Sequence, residues 1–153
     1  MYNILIYYLL FVKKFNYLWI GLMLKQKLTL SLFSDLFAVC RLEDGASVPD
    51  WLLLADFYSV TKTKDECSVI CLQELIPSKV TMIEKDWRMF KIQGVLDFAL
   101  IGVLSSILLP LAQAQISILA LSTFNTDYIL VKNFHITRAI ESLRNAGFEI
   151  NIL

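Results

Sequence analysis

Histidine is almost missing from this chain: His135 is the single one in 153 residues. It stands at a predicted helix start, where a capping or surface role accounts for it better than catalysis. An H-E-x-x-H zinc motif, which needs two histidines, is therefore excluded, and no G-x-S-x-G elbow or glycine-rich phosphate loop occurs. The cysteines are few and odd in number: Cys40, Cys67 and Cys71. Cys67 and Cys71 are four apart, not the C-x-x-C spacing of redox and zinc sites, and on a strand both would point to one face. They read as reduced core thiols of a cytoplasmic protein. Charge of one sign is lacking too. The formal net charge is zero and no basic stripe follows any predicted element, which argues against a nucleic-acid partner. These absences predict a protein that is not an enzyme and uses no metal and no cofactor.

What is abundant is apolar surface, 57 % of the residues, unevenly spread. Tyr2–Val12 and Phe15–Leu24 are apolar runs separated by Lys13 and Lys14. Each run is shorter than the ~20 residues a bilayer requires, and joined they would carry two lysines into hydrocarbon, which is costly. A secretory leader fits poorly, because its charges should precede the apolar run. Three readings of residues 1–24 stay open: an extension upstream of a working start at Met23, a membrane-associated helix, or a poorly matched leader. Membrane is a partner only if residues 1–24 are present and used.

From Leu28 onward, turn residues divide the chain into short elements. Leu28–Phe33 and Leu36–Leu42 are β-prone and split by Ser34 and Asp35. Asp50 is expected to cap a brief helix over Trp51–Ala55, and strands Phe57–Lys62 and Cys67–Leu72 flank a polar hairpin. A helical turn at Gln73–Ile76 and a strand at Val80–Glu84 follow, with Asp86 and Trp87 at a surface turn. A second cycle begins with strand Arg88–Gln93 and a long helix from Phe98 to about Gln113, capped by Asp97 and carrying Pro110, where a kink or early end is expected. Strands Ile116–Leu121 and Tyr128–Val131 surround another polar hairpin. In the final helix, Phe134–Ala146, the residues Phe134, Ile136, Ala139, Ile140 and Leu143 share a face; Gly147 ends it, and Phe148–Leu153 is the last strand.

Both cycles run strand–helix–strand–strand–helix–strand. Thr61–Asp65 and Thr123–Asp127 share Thr-x-x-x-Asp at an offset of 62, which makes Asp65 the expected counterpart of Asp127. The predicted class is α+β, with two tandem ferredoxin-like βαββαβ units, the first degenerate with very short helices. The expected division is an N-terminal extension at 1–24, a degenerate unit at 28–86 and a complete unit at 87–153.

The run G-x-L-D-F-x-L-x-G at Gly94–Gly102 and the run Ser122-Thr-Phe-Asn-Thr-Asp-Tyr-Ile-Leu-Val131, with FYSVTKTKDECSVIC before them, resemble the small tandem ACT-domain proteins related to the arginine-sensing CASTOR-type domains. The resemblance spans about Leu28 to Phe148. It implies a regulatory module that binds a small effector, often an amino acid, at an interface between paired domains, with a homodimer or a regulated partner protein. One stretch departs from the family pattern: Ala112-Gln-Ala-Gln-Ile116 stands where A-E-A-G-I is usual. Gln115 must then adopt the left-handed conformation at a modest cost, or the turn must differ.

The candidate site follows from this order of elements. Leu96, Asp97, Phe98, Ile101 and Gly102 would form a donor-rich end at a helix N-terminus, suited to a carboxylate. Ser122, Thr123, Thr126 and Asp127 would form the opposite, acidic end, where Asp127 accepts charge-assisted hydrogen bonds from an ammonium or guanidinium group. Plainer roles compete for each: Asp97 as a helix cap, Asp127 as a turn residue, Gly102 as a packing position.

Overall fold

The computed structural model describes residues 28–43 and 47–153; the readings made of residues 1–24 lie outside it. Its strands are β1 (Thr29–Leu32), β2 (Phe37–Leu42), β3 (Tyr58–Lys62), β4 (Cys67–Leu72), β5 (Ile83–Ile92), β6 (Ile118–Ser122), β7 (Asp127–Lys132) and β8 (Glu149–Ile152). Two α-helices, α1 (Val103–Gln113) and α2 (Ile136–Asn145), and three single 3-10 turns complete it. All eight strands join in one sheet, which gives the mixed α+β, ferredoxin-like architecture expected from the alternating pattern.

β5 is the axis of that sheet. The two strands expected at Val80–Glu84 and Arg88–Gln93 are one continuous strand. The expected surface turn at Asp86 and Trp87 is instead a mid-strand irregularity. Asp86 has φ 63°, its N–H is bound by the Gln73 side-chain oxygen at 2.8 Å, and the register to β2 shifts beside it. A bulge lets the strand bend without ending. The first half of β5 pairs with β2 and closes a first unit, β3-β4-β2-β5. Its second half pairs with β7 and opens the other unit. Trp87 pairs with Phe37 on one side and Lys132 on the other, so β2 and β7 occupy opposite edges.

β1 goes to the second unit. Leu28–Phe33 was grouped by sequence with the first unit, yet β1 lies antiparallel to β5 and parallel to β8. It separates two strands that a simple βαββαβ unit would pair directly. Leu30 and Leu32 enter the core beneath the helices with Phe90, Ile92, Ile129, Val131 and Ile150. Alternation alone could not reveal this, because the period shows which face is apolar but not which sheet receives it.

The helices cover one face of the second unit. Ile107 and Leu111 of α1 and Ala139 and Leu143 of α2 are fully buried there. Ile136 and Ile140 pack partly buried beside them. Phe134 is an exception to the expected apolar face: it belongs to a 3-10 turn before α2 and is 75 % exposed. Helix α1 continues through Pro110 to Gln113 without an early end, and Ser142 of α2 donates its hydroxyl to the Pro110 carbonyl at 2.9 Å. Both helices stop the same way. Gln115 (φ 56°) and Gly147 (φ 96°) are left-handed. Bonds Gln115 N–H to Ala112 C=O and Ile116 N–H to Leu111 C=O match Gly147 N–H to Arg144 C=O and Phe148 N–H to Leu143 C=O, all at 2.9 to 3.1 Å. The glutamine therefore takes the strained alternative, satisfying the last carbonyls as glycine does.

In the first unit, single 3-10 turns at Asp50–Leu52 and Gln73–Leu75 replace helices. Asp50 lies within the first turn rather than capping a helix at Trp51–Ala55. Cys40, Cys67 and Cys71 share one face with Leu42, Leu52 and Val69, and all three thiols are free and buried. Burial, with Cys40 nearby, pushes the Cys71 thiol up to about 12. The other face of this unit meets the helix-free face of the second: Phe37, Met89, Trp87 and Leu130 are buried together. Phe57, leading into β3, touches Tyr128 of β7 with ring centroids 5.1 Å apart. Because β4, β2 and β5 intervene along the sheet, this contact requires the sheet to curl.

A candidate ligand cleft between the β5–α1 loop and the β6–β7 hairpin

The chain leaving β5 does not enter a helix at Phe98. Asp97 accepts from the Ala99 N–H with its carboxylate at 2.8 Å and from the Leu100 N–H with its carbonyl at 2.9 Å. That closes a separate turn over 97–100. Gly102, at φ 84°, then redirects the chain, and α1 starts at Val103. Asp97 is thus a turn cap rather than a helix cap. Gly102 stands just ahead of the helix instead of one turn inside it, in a backbone conformation that glycine adopts without steric cost.

The facing wall is the β6–β7 hairpin. Ser122 and Asp127 are its last paired residues. Thr123 closes it, bonding to Thr126 through backbone N–H to C=O at 2.9 Å and through its hydroxyl at 2.9 Å. Thr63 and Glu66 close the β3–β4 hairpin alike. Ranges Tyr58–Lys62 and Ile118–Ser122, Cys67–Leu72 and Asp127–Lys132, and Gln73–Leu75 and Asn133–His135 all correspond at a spacing of 60. The offset of 62 was out of register. Asp65 answers Asn125, and the counterpart of Asp127 is Cys67, which is buried. Pairing register overrides a two-residue match in a polar turn.

Between these walls lies a cleft of about 290 Å³. Of the nine residues singled out by sequence, Leu96, Asp97, Phe98, Gly102, Ser122, Thr123, Thr126 and Asp127 line it; Ile101 does not, and points to solvent at 83 % exposure. Leu100, Val103, Leu104, Ser105, Phe124 and Asn125 also line it and were missed. Phe124 at a hairpin tip, flanked by small polar residues, was the available signal. Its ring meets that of Phe98 edge-on at 5.4 Å across the mouth.

Donor and acceptor groups both line the cleft. The Leu96 N–H is committed to the Asn125 carbonyl at 2.8 Å, and the Ala99 and Leu100 N–H groups to Asp97. The donor end therefore moves from 96–98 to the start of α1. There the N–H groups of Val103, Leu104 and Ser105 precede the first intrahelical bond, Ser106 N–H to Gly102 C=O at 2.9 Å. Asp97 and Asp127 are the charged side chains lining the cleft. Asp127 is half-buried and makes no side-chain hydrogen bond or ion pair among the described residues. Among those residues, no group of three or more His, Cys, Asp and Glu side chains is arranged to hold a metal, and no helix is long and apolar enough to cross a membrane.

Residues 82–145 match the ACT-domain family, and residues 35–79 match the family of an N-terminal domain. Among solved structures, protein Atu0741 from Agrobacterium tumefaciens is 30 % identical, with a TM-score of 0.77 over 84 % of this chain and 95 % of its own. The chain belongs to the family of this Agrobacterium protein and carries an ACT domain. Two further structures share the fold alone. A protein of unknown function from Vibrio cholerae, VC0802, described as a possible transport protein, is 14 % identical, with a TM-score of 0.65 over 79 % of this chain and 91 % of its own. The ligand-free regulatory subunit of aspartate kinase from Thermus thermophilus is 10 % identical, with a TM-score of 0.56 over 79 % and 97 %. No curated protein matches the sequence.

Proposed function

We propose that this ACT-domain protein is a non-enzymatic regulatory module that binds a free amino acid in the cleft between Gly102 and Asp127. The observation that carries the reading is that free N–H groups at the start of α1 and the uncommitted Asp127 carboxylate line the same cleft. A zwitterion has the complementary arrangement, its carboxylate toward Val103–Ser105 and its cationic group toward Asp127. The aspartate kinase neighbours add an analogy at the level of fold. On this reading the two units form a tandem pair of CASTOR-type ACT domains, working in the cytoplasm and relaying ligand binding to a partner copy or protein.

The test is a melting-temperature screen of the full chain against the standard amino acids. A ligand that binds only the folded state adds about 2.7 kcal/mol at a hundredfold excess over Kd, which raises Tm by several degrees. Asp127→Ala should abolish the shift. If none of the amino acids moves Tm, the amino-acid reading fails.

A second reading is a protein-interaction module with an empty cleft. The exposed apolar side chains beside the cleft favour it: Val95, Phe98, Ile101 and Phe124 are all at least 75 % exposed, more apolar surface in one place than solvent contact explains. A stable dimer that ignores every amino acid would select this alternative.

A further inference from the structure

Thr126 was read as one of several hydroxyls for a ligand, but its surroundings assign it different work. It is 4 % exposed, and its hydroxyl proton is donated to the Ile92 carbonyl at 2.7 Å. That carbonyl ends β5, at the root of the loop forming the opposite wall. Farther out, the Leu96 N–H crosses from this loop to the Asn125 carbonyl at 2.8 Å, and at the mouth the Phe98 and Phe124 rings meet. The two walls are thus joined at three levels, and the deepest link is the only one made by a polar side chain among these three.

Among the described residues, the first unit shows no such arrangement. At the spacing of 60, Glu66 stands where Thr126 does. The Asp65 carbonyl, equivalent to that of Asn125, accepts from the Arg41 guanidinium at 2.9 Å instead of from a loop N–H. The same hairpin carbonyl is used in both units, by a strand side chain in one and by the cleft wall in the other.

We infer that Thr126 is a positioning residue, whose hydroxyl fixes the spacing of the cleft walls through Ile92 and holds the Leu96–Asn125 bond closed, while contacts to a ligand come from other groups. This rests on the cleft being the ligand site, but its test uses no ligand, so failure of the amino-acid screen leaves it intact. In the full chain, hydrogen exchange at the Leu96 amide is compared for wild type, Thr126→Val and Thr126→Ser. The valine variant should speed Leu96 exchange roughly three- to tenfold, the worth of one hydrogen bond, with Leu143 in α2 unchanged. Serine should restore the wild-type rate. Unchanged Leu96 exchange in Thr126→Val, or equal acceleration by serine, overturns the assignment. Uniform acceleration that includes Leu143, or loss of fold, overturns it also, since Thr126 would then serve general stability alone.

Discussion

The two units share their second and third strands, their hairpin closure and the 3-10 turn that follows, all at a constant spacing of 60 residues, yet among the described residues the α-helices and the candidate ligand cleft belong to the second. The difference lies in the connections. Residues 43–57 join the first two strands of the first unit, whereas residues 93–117 do so in the second. The longer connection accommodates the 97–100 turn, the left-handed Gly102 and an eleven-residue helix; the shorter has space for one 3-10 turn that seals the core with Trp51 and Leu52. A ligand site at a helix start depends on the helix, because a single turn leaves no aligned row of free N–H groups. Duplicated strands therefore supply the frame, and the length of one loop decides which unit has a helix start facing its hairpin.

The largest effect expected from this contrast concerns independence. Cutting the chain back to residues 82–153 would strip β1 from between β5 and β8 and take Leu30 and Leu32 out of the core. The fragment 82–153 should therefore show no cooperative melting transition, whereas 28–153 should show one. A cooperative melt of the shorter fragment would break the picture of a shared sheet. Phe57→Ala comes next. It removes the ring that reaches Tyr128 across the curled sheet and should cost about 1.5 to 3 kcal/mol by chemical denaturation, with one transition turning into two if this contact couples the units.

Alkaline stability changes gradually with pH and belongs to the first unit. The folded-state Cys71 thiol is raised from 9.0 to about 12, so its contribution is complete below pH 9 and is lost as pH rises toward 12. In that window the unfolded chain releases a proton that the folded one keeps. The slope is at most about 1.4 kcal/mol per pH unit for one thiol. Cys71→Ala should flatten the stability profile there. The smallest change expected is a gain. Gln115→Gly relieves a left-handed side-chain residue and should stabilise the chain by about 0.5 to 1 kcal/mol, read as an increase in the denaturation midpoint.

Much of this was legible before any coordinates. The strands Cys67–Leu72 and Tyr128–Val131 and the stop at Gly147 follow from local chemistry, apolar alternation and the conformational freedom of glycine, while the left-handed demand on Gln115 came from the resemblance to the ACT pattern. Eight of the nine selected residues do line one cleft, because a loop after a strand and a hairpin two strands later meet at the same end of a ferredoxin-like unit. The start of α1 was harder to see. Phe98–Gly102 has helical composition, and only the closure of Asp97 on Ala99 and Leu100 shows that those N–H groups are spent.

The sequence by itself determined most of the strands, the two hairpins and where two helices could form, since those choices are made over a few neighbouring residues by periodicity, capping and backbone sterics. Only the tertiary structure decided that β1 joins the second unit, that Asp127 answers Cys67 rather than Asp65, and that Thr126 gives its hydroxyl to the cleft wall. Each depends on pairing between residues far apart in the chain, and a strand's pattern specifies the face it buries without naming the partner that covers it.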